Sequence, residues 1–338
     1  MEIRTCKECG FILGTRPGLK DVGGVCLACL NKDRKKTINW KERQNWLTDY
    51  LKARVNQQGR YDVAVGVSGG KDSTAIVRRL IMSHHVDKSR ILLVHMCDEF
   101  TPTKAGTFNR DNLVKQLGTD IIDFRFAPDK FIEETRKNFF EELHPLKWVE
   151  EQLYNVPIQV AKAFGVPTLF MGENSSFEYG ESEECEIFHK DSTDELNIIY
   201  MGSIWPYSTM DSLNEAQKIG FRTLDDYDDW MRQGCGDSFS QIDSKGYMIQ
   251  LWTKFIKFGF QRVSDMSCRS VREGLITKEQ AEQLIRDEDW RCDPLAKRDF
   301  CRTIGITEEE FNETVDKFAN RELLVKDVNG NWRRKDLV

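Results

Sequence analysis

Two short stretches carry most of the chemistry in this chain. The first is Ser68-Gly69-Gly70-Lys71-Asp72-Ser73, which directly follows the apolar run Val63-Ala64-Val65-Gly66-Val67. The run is too short for a helix and rich in β-branched residues, so it reads as a buried strand. Thr74 to Met82 then reads as an amphipathic helix. Strand, glycine turn and helix make an anion site, because the glycines permit close backbone approach and the free N–H groups at the helix start face the ligand. Lys71 adds a full positive charge, and Ser68 and Ser73 add hydroxyl donors. The expected ligand is a phosphate group. The second stretch is Gly172-Glu173-Asn174-Ser175-Ser176-Phe177-Glu178-Tyr179-Gly180, beyond another apolar run. Its carboxylates, amide and hydroxyls suit a hydroxylated substrate or a magnesium ion.

The glycine loop fits neither the dinucleotide fingerprint G-x-G-x-x-G nor the Walker loop. It resembles the PP-loop of the ATP pyrophosphatases. That resemblance implies that Ser68, Gly69, Gly70, Lys71, Asp72 and Ser73 hold the β,γ-pyrophosphate of ATP while a substrate oxygen attacks the α-phosphorus.

The elements that must position these groups follow from periodicity. Ile91–Met96, 120–126 and 167–171 read as further strands, with helices over 108–118, 129–143 and 147–164. This alternation predicts an α/β domain at 61–210 with a parallel sheet covered on both faces, a Rossmann-like arrangement. Ligands of such sheets bind beyond the carboxyl ends of the strands. That rule gathers Ser68–Ser73, Asp98 and Gly172–Ser175 at one rim, with Asp98, Glu173, Asn174 and Glu178 as substrate contacts. Residues 181–195 are rich in Asp and Glu and form either a lid or a crossing to the next domain. Residues 211–338 are predicted to be mostly helical, with helices at 212–219, 225–233, 277–287 and 307–320 and capping boxes at Thr277 and Thr307.

Upstream, Cys6 and Cys9 are followed after 16 residues by Cys26 and Cys29, the spacing of a zinc ribbon. Four thiolates at this spacing close around one structural Zn2+, which supplies folding energy that a segment of residues 1–35 lacks. Residues 36–60 form a linker with an amphipathic helix over 37–57, capped near Asn39 and presenting Trp46, Leu47 and Tyr50. Cys97, Cys185, Cys235, Cys268, Cys292 and Cys301 show no metal spacing and read as small buried hydrophobes.

Bulk properties bound the class. The 338 residues are 40% hydrophobic and 31% charged, and the net charge of −6 divides into +7 over residues 1–60 and −13 over the remainder. The basic N-terminal piece is suited to an anionic ligand, RNA, the acidic face of a partner, or plain solvent. No apolar stretch is long enough to span a bilayer and no secretion signal is visible, so cytoplasmic location and reduced or metal-bound cysteines are expected.

In combination, several marks look like the N-acetyl sugar amidotransferase family. They are Cys6/Cys9, Thr15-Arg16-Pro17-Gly18, Gly24-Val25-Cys26-x-x-Cys29, Ile38-Asn39-Trp40-x-x-Arg43, Tyr61-Asp62, the Gly172–Gly180 stretch and Arg272-Glu273-Gly274-Leu275-Ile276-Thr277. The resemblance runs across residues 6–280. It implies conversion of an acetamido to an acetamidino group on a sugar of lipopolysaccharide O-antigen or of pseudaminic or legionaminic acid, with ATP, Mg2+ and structural Zn2+. Lys71, Asp72 and Glu173 would be catalytic. It further implies a glutaminase partner of the imidazole-glycerol-phosphate-synthase type that delivers ammonia. The competing class is a PP-loop tRNA-thiolation enzyme. Such enzymes carry additional catalytic cysteines, whereas the later cysteines here are scattered and the acidic body is unfavourable for a phosphate backbone.

Overall fold

The computed structural model describes residues 3–338. Its centre is a five-stranded parallel sheet of β1 (Val63–Gly66), β2 (Ile91–Met96), β3 (Asp120–Phe124), β4 (Thr168–Met171) and β5 (Asn197–Tyr200). The strands lie in the spatial order β3-β2-β1-β4-β5. The chain therefore builds outward from β1 in one direction and then returns to build in the other. The crevice between β1 and β4 is the switch point where doubly wound sheets bind ligands. Register is set by Val63, which lies opposite Ile91 on one side and Thr168 on the other.

Strand alternation divides the sheet between two cores. Val63, Val65, Ile91 and Leu93 face one cluster with Leu47, Val77 and Leu80, while Ala64, Leu92, Val94 and Leu169 face the other with Val156 and Val160. The first face is covered by α2 (Trp40–Ala53) and α3 (Lys71–Met82). Asn39 caps α2 by accepting from the Glu42 amide, and Trp46 stacks on Tyr50 at 5.1 Å. The other α/β helices are α4 (Lys104–Leu117), α5 (Pro128–Glu142), α6 (Lys147–Ala163) and α7 (Thr209–Gln217). Helix α7 packs on α3, so the break expected at residue 210 falls inside a helix of the α/β body.

The C-terminal region contains α8 (Met248–Phe258), α9 (Arg262–Arg272), α10 (Lys278–Glu288), α11 (Pro294–Ile304) and α12 (Glu308–Phe318), then a hairpin of Leu324–Lys326 with Trp332–Arg334. Both predicted capping boxes are present. The helix expected over 225–233 is not. Leu224–Asp226 is a single 3-10 turn, and irregular chain follows. Its side chains reach outward instead: Arg232 donates to the carbonyls of Asp237, Ser240 and Gln241 at 2.7 Å each. The Trp230 indole is also anchored, on Asp293 at 3.1 Å. No described helix is long and apolar enough to cross a membrane.

The N-terminal piece folds as two small hairpins and α1 (Leu27–Lys35). Its positive charge is partly met within the chain by the acidic segment beyond Gly180. Arg16 lies 3.5 Å from Glu181, and Arg34 lies 2.7 Å from Glu183.

Candidate active site at the switch point

The PP-loop leaves β1 at Val67, whose amide is bonded to the Val94 carbonyl at 2.9 Å. Gly69 has φ +89, a left-handed conformation that favours glycine, and a Cβ there would lie 3.3 Å from the Arg110 amide nitrogen. Gly70 is the N-cap of α3, extended at φ −75 and ψ 167 with no side-chain cap. The first amides of α3 are thus left to a ligand, where the helix dipole favours negative charge. Ser68 Oγ accepts from the Gly70 amide at 3.2 Å, and Ser73 donates to the Gly70 carbonyl at 3.1 Å.

Lys71 is only 3% exposed and donates to Asp72 Oδ2 at 2.6 Å and to the Tyr207 hydroxyl at 3.4 Å. The other Asp72 oxygen is inaccessible and has no partner. Burial pushes the Asp72 carboxyl up, but the Lys71 ammonium with its hydrogen bond and then the Arg269 charge outweigh it and hold the group below the usual carboxylate range.

Arg269 completes this wall. It comes from α9 and lies between the rings of Tyr179 and Tyr207, at 4.8 and 4.7 Å from their centroids. Its Nη2 is 2.9 Å from Glu173 Oε2, a close ion contact without hydrogen-bond geometry, and Nε also has no partner. Burial works against its charge, yet Glu173 and the two tyrosines hold its basicity well above the ordinary value. A buried guanidinium with unspent donors beside Lys71 is built to meet an anion.

The Gly172–Gly180 stretch lies beyond β4, beside this wall. Glu173 reaches Arg269. Asn174 caps the one-turn helix Ser175–Glu178, accepting from the Phe177 amide at 3.3 Å and donating to the Glu186 carbonyl at 3.2 Å and Ser203 Oγ at 3.4 Å. Its amide is thus committed to the fold, and the direct substrate contact expected of it gives way to a positioning role. Glu178 is buried and pairs with Lys35 of α1 at 2.6 Å. Burial raises its carboxyl, and the Lys35 and Arg269 charges oppose the rise. Asn31 of α1 also donates to the carbonyls of Phe177 at 2.7 Å and Ser182 at 2.8 Å. The N-terminal piece therefore clamps this loop.

Asp98 is separated from Glu173 and Glu178 by the PP-loop. It lines a cavity of about 450 Å3 together with Ser68, His95, Arg110, Asp243 and Tyr247. Asp98 accepts from Ser244 Oγ at 2.5 Å. Burial pushes the Asp98 carboxyl up to about 6. The Asp243 carboxyl rises to about 7 through burial and then the Asp98 charge, and its Oδ1 is inaccessible and unpartnered. Gly106 lets the 242–244 segment approach, since a Cβ there would lie 2.8 Å from Asp243 Cα.

Arg269, Tyr207 and Asp243 are site residues that the two motifs alone do not reveal. One signal was available for Arg269: Arg262, Asp265, Arg269 and Arg272 recur at helical spacing, a charged stripe where a buried helix would carry apolar residues.

The four ribbon thiols are all buried, and their sulfur atoms lie within 4.8 Å of one another. The Cys26 amide donates to Cys6 Sγ at 3.3 Å, and Arg272 approaches Cys9 Sγ at 3.9 Å. Donor type, number and closure fit a structural zinc ion.

No curated protein matches the chain. Among solved structures, it is similar to the NH3-dependent NAD synthetase of Campylobacter jejuni subsp. jejuni NCTC 11168 in complex with the nitrate ion, at 13% identity and TM-score 0.37, covering 55% of this chain and 75% of that one. It is also similar to the NMN synthetase of Francisella tularensis, at 11% identity and TM-score 0.38, covering 70% and 94%. Residues 225–336, the region that supplies Arg269 and Asp243, match the family described as LPS biosynthesis protein WbpG-like, C-terminal domain.

Proposed function

We propose that this protein is an ATP-dependent amidotransferase that converts an acetamido sugar to an acetamidino sugar for a surface polysaccharide. The observation that carries the reading is the uncapped start of α3 between buried Lys71 and Arg269, a triphosphate cradle at the switch point of a parallel sheet. The WbpG-like match supports the polysaccharide context, and the family resemblance of the motifs supplies the reaction.

An acetamide oxygen is a poor leaving group. Its attack on the α-phosphorus of ATP forms an O–P bond and expels pyrophosphate, leaving an O-adenylyl imidate. Ammonia then adds to the imidate carbon, loses a proton, and AMP departs with the former amide oxygen. The PP-loop amides, Lys71, Ser68 and Ser73 offset the charge that builds on pyrophosphate. Asp72, whose second carboxylate oxygen has no protein partner, would hold a Mg2+ ion at the loop, and the ion would supply further charge stabilisation for the departing pyrophosphate. Asp98 and Asp243, with carboxyls at about 6 and about 7, are suited to accepting the ammonia proton. Arg269 and Glu173 orient the sugar side of the rim. Ammonia is supplied by a separate glutaminase.

The test incubates the protein with ATP, Mg2+, ammonium and a panel of diacetamido sugars, with tRNA as a parallel arm. AMP release with the mass change of replacing O by NH on a sugar supports the reading. AMP release dependent on tRNA alone overturns it. Equal amidine formation from glutamine and from ammonium salts by the pure protein removes the glutaminase partner.

A further inference from the structure

Cys97 has a different setting from the other scattered cysteines. It follows β2, two residues beyond His95, so strand alternation turns both side chains to the same face. On the adjacent strand, Asp123 is the in-register partner of His95, and the pairing continues past the strand end because the Cys97 amide bonds the Phe124 carbonyl at 2.8 Å. Register thus brings an imidazole, a thiol and a carboxylate together. His95 Nδ1 lies 2.8 Å from Asp123 Oδ1 and 3.6 Å from Cys97 Sγ, and the three donor atoms all lie within 4.8 Å of one another.

We propose that His95, Cys97 and Asp123 form a second metal site, distinct from the ribbon, for a divalent cation of the zinc type. Mixed N, S and O donors select zinc-like ions over magnesium or calcium, which take oxygen sets. Three protein ligands leave a position for water or substrate, the arrangement of catalytic rather than structural zinc. That position opens to the cavity shared with Ser68 and Asp98, because His95 and Cys97 line the same wall. Cys97 is only partly buried and reachable by an ion, whereas Asp123 is exposed at the outer edge.

The experiment counts metal. The full-length protein is loaded with Zn2+, desalted and measured by elemental analysis, alongside Cys97→Ser and Asp123→Asn variants. The expected result is a second equivalent in the wild type beyond that of the ribbon, lost in both variants while the ribbon's equivalent stays. Asp123 is at the surface, so its variant is expected to fold even if Cys97→Ser does not. Co2+ loading gives an independent reading, because a one-thiolate site with nitrogen and oxygen ligands absorbs differently from a four-thiolate site. A single equivalent in the wild type, or a second equivalent retained in both variants, overturns the proposal. Neither readout depends on sugar adenylylation, so the outcome is separate from the fate of the proposed reaction.

Discussion

The PP-loop and the Gly172–Gly180 loop flank the same switch point, yet they are built on opposite plans. In the first, consecutive residues supply strand, turn, cap and charge, and Lys71 finds its carboxylate at the next position. In the second, both carboxylates find their partners far away in sequence: Glu178 in Lys35 and Glu173 in Arg269. A locally built site survives as long as its strand and helix do. A site assembled from remote partners depends on the whole molecule being in place.

The comparison can be broken most severely at Lys71. Lys71→Ala is expected to lower pyrophosphate release by roughly 10²–10³-fold, as for loss of one preorganised charge donor, with little change in the circular dichroism spectrum. Pyrophosphate release at the wild-type rate would remove the PP-loop from the mechanism. Zinc removal should act on the other plan. Chelation or Cys26→Ser unfolds the ribbon, because its folding free energy is metal-binding free energy, and frees Lys35 from Glu178. Amidine formation is then lost while ATP still binds, as measured by nucleotide titration.

Arg269→Ala strands Glu173 and is expected to cost on the order of 3 kcal/mol in denaturant unfolding, the size seen when one member of a buried pair is removed. Pairing it with Glu173→Gln should recover part of that stability without recovering turnover. If both variants unfold alike, the ion contact is not what holds this wall.

Asp98 and Asp243 give a pH signature. Their folded-state carboxyls, at about 6 and about 7, lie above their unfolded values, so the folded state retains protons that the unfolded chain releases. The resulting stability is complete below the unfolded carboxyl value of about 4, and is lost as pH rises from there through about 6 for Asp98 and about 7 for Asp243. Asp243→Asn should flatten the fall in melting temperature between about pH 4 and about pH 7. The smallest effect is expected at Asn39, where alanine removes the α2 cap at about 1 kcal/mol and leaves kinetics unchanged, a control for distant stability loss.

The same contrast explains what the sequence reveals. The parallel sheet, the ribbon cysteines, the Asn39 cap and both capping boxes are local patterns, and each is present in the structure. The segment 225–233 misleads because its side chains are taken up elsewhere, Trp230 by Asp293 and Arg232 by the carbonyls of Asp237, Ser240 and Gln241. Arg269 and Asp243 escape motif reading for a related reason: both lie more than 150 residues beyond the PP-loop they face, outside any motif of their own. The spacing of Cys97 also hides its neighbours, since register between β2 and β3, not chain proximity, delivers Asp123.

The buried guanidinium held between Tyr179 and Tyr207 has a consequence for synthesis of the protein. A nascent chain has its glycine loop early, but the cation that completes that wall arrives only with residue 269. A ribosome-bound intermediate stopped before α9 would therefore carry a half-lined pocket, complete only late in translation.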